Sequence, residues 1–252
     1  MWLLLIVFLG LGVHRLLSQM FRPAWINWAL LPGTVVSEVA YIFGCLITGG
    51  EIRRARIMPT SPDSKSAGDA EPITESAAKL KVIGPVVAAL VAMVACAGGI
   101  LAASSLLGEP VMDEFSAAGG SLAKSLPTSW DLLWVQIDRQ VGLLRHTCDA
   151  LSRLDWLDWR VPLFAYLGVC LSVRLAPVRR DLRATLAAAV VIAGVIAIVG
   201  RFSNRFGDLM RDIWPLLAYV YATLLLLLIA ALLVRGVVLL LGVLTGRRSG
   251  TA

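Results

Sequence analysis

Long apolar runs constrain this chain more than any other feature. From Val82 to Leu107 there is no Asp, Glu, Lys or Arg. At ~1.5 Å rise per residue, a helix of that length exceeds the ~30 Å hydrocarbon core of a bilayer. Apolar runs of this kind are read over 1–17, 24–48, 82–107, 161–176, 184–200 and 213–245. The composition agrees: 58% of residues are hydrophobic, only 16% are charged, and mean hydropathy is +0.79, outside the range of an ordinary soluble domain. The expected fold is all-α, a polytopic transmembrane bundle of about six helices forming a single membrane domain over 1–252.

The runs are not equivalent. The first is short and meets His14 and Arg15 before it ends, so it spans if Arg15 snorkels to the headgroups, with His14 read as interfacial. Its start has no basic residue and no A-x-A-like site, which reads as a retained helix rather than a cleaved leader. The run from Val161 is uninterrupted only as far as Val173, and Arg174 must face protein or snorkel if it is to lengthen. The last run is longer than the ~20 residues a span needs, so it tilts, bends at Arg235-Gly236 or emerges at the surface. In 82–107 the pairs Ala92/Cys96 and Ala95/Gly99 are small residues four apart, a spacing that lets a neighbouring helix approach closely. The four cysteines form no CxxC pair and predict neither a disulfide framework nor a metal knot.

Two connections are long. Residues 51–81 include TSPDSKSAGDAEP and read as a polar flexible loop. Residues 108–160 form a long loop with an amphipathic helix over 129–154, opened by Pro127-Thr128-Ser129. Its apolar residues recur as Trp130, Trp134, Ile137, Val141, Leu144, Cys148 and Leu151, and Trp156 and Trp159 follow. Such a helix lies on the bilayer or over the bundle. The net charge of +6 is read as setting topology rather than binding nucleic acid. Lys and Arg are denser in 51–81, 174–183 and at 247–248 than in the other connections, which predicts an integral protein of a bacterial-type inner or plasma membrane with N- and C-termini both cytoplasmic.

One run carries a chemical motif. A metalloprotease helix of the form H-E-x-x-H works because i and i+4 share a face, so two imidazoles grip one zinc while the glutamate activates its water. The corresponding places here read Ser37-Glu38-Val39-Ala40-Tyr41. The acid is in register and both histidines are absent. His14 and His146 are the only histidines, and neither stands at a motif position. Read alone, Glu38 is an intramembrane carboxylate that must find an interior partner.

The stretch LPGTVVSEVAYIFGCLITGGEIRRARIMP, from Leu31 to Pro59, resembles the site-2 protease family of intramembrane zinc metallopeptidases, in its compact M-fifty-B-like branch. Leu31-Pro32-Gly33, Thr48-Gly49-Gly50 and Arg53-Arg54-x-Arg56 correspond by motif, as does SVRLAPVRRDLRA around Pro177 and Asp181. The resemblance implies a short β segment after the second helix, Glu38 at the general-base position, and Ser37, Tyr41 and Asp181 at degenerate metal positions. Only Asp181 is a metal-binding residue type for its place, whereas a catalytic zinc takes three protein ligands. No zinc or other cofactor is expected. The protein is expected to be a pseudoprotease, a non-catalytic adaptor or regulator that binds a transmembrane client, with Glu38 and Tyr41 lining the inherited cavity and Tyr41 bonded to Asp181. The alternatives are a small transporter or channel component with Glu38, Asp181 and Arg235 along a polar path, and residual metalloprotease activity through an unusual ligand set.

Overall fold

The computed structural model describes residues 2–21, 23–49, 51–56, 73–77, 83–117, 122, 130–175, 182–202 and 205–244. Among these the chain is all-α in class. The helices are α1 (Trp2–Met20), α2 (Pro23–Ala29), α3 (Leu31–Ile47), α4 (Ile83–Leu107), α5 (Glu109–Ala117), α6 (Trp130–Arg153), α7 (Arg160–Arg174), α8 (Leu182–Phe202) and α9 (Arg205–Leu244). Two short strands, β1 (Glu51–Arg56) and β2 (Ile73–Ala77), pair antiparallel between α3 and α4.

Four helices are long and apolar enough to cross a bilayer: Trp2–Met20, Ile83–Leu107, Arg183–Arg201 and Ile213–Leu241. Of the six runs expected to span, the second and fourth form shorter helices. The run 24–48 divides at Leu30 because Pro32 has no N–H to offer Trp28 and its ring crowds that carbonyl. A new helix starts there, with the proline in its first turn where no donor is needed. α3 then has 17 residues. It stops at Thr48-Gly49, where Gly49 takes φ +70 and its N–H donates to the Leu46 carbonyl at 3.0 Å. The first glycine of the TGG stretch is thus a helix stop that only a residue tolerant of positive φ fills well.

α7 has 15 residues, ~22 Å of helix and less than the hydrocarbon thickness. Its second half is buried on every side, with Cys170, Leu171, Ser172, Val173, Arg174 and Leu175 all enclosed. It packs against α1, α3, α4 and α9. That half is enclosed all round, as in the centre of a bundle, while Leu163 and Tyr166 in the first half are exposed.

The expected break at Arg235-Gly236 does not occur, and α9 runs through it without interruption. Arg235 Nη1 donates to Gln19 Oε1 at the end of α1, so the charge has a partner on the bundle and does not end the helix. α1 likewise continues past Arg15 to Met20, and His14 is buried inside it rather than interfacial.

The contacts between α1 and α9 also decide their direction. Trp2 meets Tyr221 edge to face, a Cβ at Gly12 would touch Leu228, and Gln19 meets Arg235. The partners advance together, so α1 and α9 run parallel. Two parallel spans put the start of α1 and the end of α9 at opposite ends of the bundle. The expectation that both termini are cytoplasmic is corrected accordingly.

α6 forms where the amphipathic pattern predicts a helix, but with a different packing face. Leu143, Thr147, Ala150 and Leu154 are buried, on the side where α6 meets α5 and α9. Trp130 and Trp134 remain 78% and 65% exposed, and Ile137, Val141 and Cys148 are exposed with them. At 100° per residue the exposed apolar stripe lies about 140° from the buried face, and Asp138, Arg145 and Asp149 lie on the far side of that stripe. A helix with three such faces sits where protein, lipid and water meet. Leu157, at 95% exposed, and Trp159 extend the stripe beyond the helix. With Trp134 as the sole tryptophan, its fluorescence in vesicles is expected to be quenched by phospholipids brominated near the headgroup and spared by aqueous iodide. The segment opening this helix, Pro127-Thr128-Ser129, lies outside the described residues.

Candidate functional site

α3 presents the motif residues on two faces. Ser37 and Tyr41, four apart, share one face and are both buried. Ser37 Oγ donates to the Thr34 carbonyl at 3.0 Å, and Thr34 Oγ1 donates to the Leu30 carbonyl at 2.9 Å, so both hydroxyls bond back into their own helix. Tyr41 packs with Cys45 against Ala88 and Ala92 of α4. Beside them Gly44 meets α4 so closely that a Cβ there would stand 2.6 Å from the Ala88 Cα. The face on which a zinc helix carries its imidazoles is here a helix-packing seam. The small residues read in 82–107 have this role, with Ala88 and Ala92 serving α3 and Cys96 facing α7.

Glu38 lies one step around the helix, half-buried. Its carboxylate acts electrostatically on Arg174 of α7. The Arg174 side chain is 9% exposed, and its Nη2 donates to Asn27 Oδ1 of α2 at 2.5 Å. Arg174 Nε is buried without a hydrogen-bond partner among the described residues. The guanidinium therefore joins three elements: α7, which carries it, α2 through Asn27, and α3 through Glu38.

The backbone brings these groups together at Gly33. A Cβ at position 33 would stand 2.3 Å from the Cys170 carbonyl oxygen and 3.2 Å from Arg174 Cγ. Hydrogen alone allows α3 to rest on α7 there. The division at Leu30 also leaves the last carbonyls of α2 without helical partners. The Ala29 carbonyl accepts from Tyr166 Oη at 2.9 Å and from Cys170 Sγ at 3.6 Å, both from α7. Leu31-Pro32-Gly33 thus has a local physical account: a proline-started helix and a glycine crossing point.

Chemically the arrangement is a buried guanidinium bonded to an amide oxygen, with a carboxylate close enough to act on its charge. Arginine offers donors only, and a carboxylate is a counter-ion for it. Among the described residues no group of three or more His, Cys, Asp or Glu side chains could hold a metal ion. His14 is buried in α1, and His146 lies exposed on α6.

Asp181, Pro177 and Gly50 lie outside the described residues, and with them the expected contact of Tyr41 with Asp181. Arg53, Arg54 and Arg56 fall in β1, which is described by its backbone. Arg235, placed on a polar path with Glu38 in the transport reading, has Gln19 as its partner. A cavity of about 340 Å³ lies between α1, α4, α8 and α9, and neither Glu38 nor Tyr41 lines it.

Sequence reading missed Asn27 and the central role of Arg174. Two signals were present: a single Arg interrupting an otherwise apolar run, and a single Asn within Trp25-Ile26-Asn27-Trp28. Each is a polar group in an apolar setting, and each satisfies the other.

Compared with protein-family models, with curated proteins and with solved structures, the chain matches none. The resemblance to site-2 proteases therefore rests on the motif residues alone.

Proposed function

We propose that this chain is a non-catalytic integral membrane protein, a pseudoprotease of the site-2 type that acts as an adaptor for the membrane segment of another protein. The observation that carries this reading is Arg174. Its guanidinium is a positive charge that Glu38 acts on, where a metalloprotease helix has a zinc ion, and a guanidinium offers no open coordination position and activates no water. The Ser37 and Tyr41 places support the same reading, because their side chains serve helix packing. Opposite them, Val39, Phe43, Leu46 and Ile47 form an exposed apolar ridge on α3, with Phe43 59% exposed. This i, i+4, i+7, i+8 pattern suits a helix that meets another helix in a membrane.

Elemental analysis of the purified protein is expected to find zinc far below one equivalent. A photoreactive residue at position 43 is expected to crosslink, in native membranes, to a membrane segment of one reproducible protein identified by mass spectrometry. The same residue at position 198, on the exposed face of α8, is expected to miss that protein. Stoichiometric zinc, or crosslinks at 43 to lipid alone, would overturn the proposal.

A further inference from the structure

The cavity between α1, α4, α8 and α9 does not touch the Glu38 site and is unused by the adaptor reading. Every residue lining it is apolar. α4 lines it from Met93 to Leu101, Ala97 and Gly98 included, with Ile192 and Ile196 of α8 and Leu217 and Val220 of α9. α8 leans on α4 and scarcely meets α9, which leaves the cleft open between them. Val94, Leu101 and Ile196 are exposed along that opening. α1, α4, α8 and α9 are the four helices long enough to span, so the opening faces the hydrocarbon interior.

We infer that the cleft holds one acyl chain of a bilayer phospholipid. Water is excluded as the occupant, since an ordered water needs two to four polar partners and the lining provides none. The size decides between a lipid chain and a protein helix. Along α4 the lining extends ~12 Å, from the middle of the helix towards its end. A helix ~10 Å across occupies on the order of 900 Å³ over that length, well over twice the cavity. At ~30 Å³ per methylene, close to the share of a water in the liquid, about 340 Å³ accommodates roughly eleven methylenes. With ~1.5 Å carbon–carbon bonds and roughly 1.3 Å of rise each, eleven extend about 14 Å, which matches that length. The inference does not depend on the adaptor reading.

Two glycines provide a matched test. A Cβ at Gly98 meets nothing within 4 Å and Gly98 lines the cleft, so Gly98→Phe starts its ring from open space at the lining. Gly194 on α8 is equally open but does not line the cleft, so Gly194→Phe adds the same ring elsewhere. Delipidated protein in detergent is titrated with dioleoylphosphatidylglycerol and, separately, with oleic acid, and bound lipid is counted by native mass spectrometry. Wild type and Gly194→Phe are expected to retain one phospholipid. Gly98→Phe is expected to weaken that binding about a hundredfold, because the ring displaces three or four methylenes, each worth roughly fourfold. Ala97→Leu, at the same lining, is expected to follow Gly98→Phe, and thermal unfolding of each variant separates a plugged cleft from a lost fold. Equal retention by all variants, equal loss in Gly194→Phe, or binding of oleic acid without phospholipid overturns the inference.

Discussion

Replacing Arg174 with methionine is expected to lower the unfolding free energy by about 3 kcal/mol, the scale measured when one partner of a buried charged pair is removed. The volume is nearly kept, so the loss comes from what remains. Asn27 loses its donor at 2.5 Å, and the Glu38 carboxylate loses the positive charge it acts on. Arg174→Lys should cost less, about 1 kcal/mol, because a point charge remains although the fork to Asn27 does not. Reversible unfolding in mixed micelles with increasing dodecyl sulfate reads both. Wild-type stability in Arg174→Met would mean that the guanidinium is solvated at the surface.

Gly33→Ala and Gly44→Ala are expected to destabilise by about 3 kcal/mol or more, at the upper end of overpacking effects. The added methyl would lie 2.3 Å from the Cys170 carbonyl oxygen in one case and 2.6 Å from the Ala88 Cα in the other. Both obstacles are backbone, so no rotamer change relieves them, and α3 must move away from α7 or α4. Gly142→Ala in α6 meets nothing within 4 Å and should instead stabilise by roughly 0.5–1 kcal/mol, the helix-propensity difference between the two residues. The same micelle titration tests the contrast. Similar effects at positions 33, 44 and 142 would show that propensity alone governs these sites.

Much of the helical content was legible in the sequence because hydrocarbon demands it. The apolar run 82–107 and α4 nearly coincide, since a run so long and uncharged has one stable conformation in lipid. What was not legible arose from partners distant in sequence. Pro32 signals a helix start or a kink equally well, and packing on α7 at Gly33 selects the start. Trp130, Trp134 and Val141 mark an apolar stripe on α6, yet periodicity cannot tell a lipid-facing stripe from a core-facing one. Thr147 and Ala150 lie on the buried side and hardly register as hydrophobic. At the site, the sequence shows Glu38 as an acid needing a partner but cannot point to one 136 positions later. In the fold its charge acts on Arg174 of α7, a helix whose second half lies inside the bundle.

Coupling between Glu38 and Arg174 is the feature of this site on which the proposed function most depends. A double-mutant cycle with Glu38→Gln and Arg174→Met, followed by unfolding in mixed micelles, measures that coupling directly. The account predicts an interaction of about 1–3 kcal/mol, with the double variant more stable than the sum of the single losses implies. Additivity within roughly 0.5 kcal/mol, the behaviour of independent sites, would contradict it.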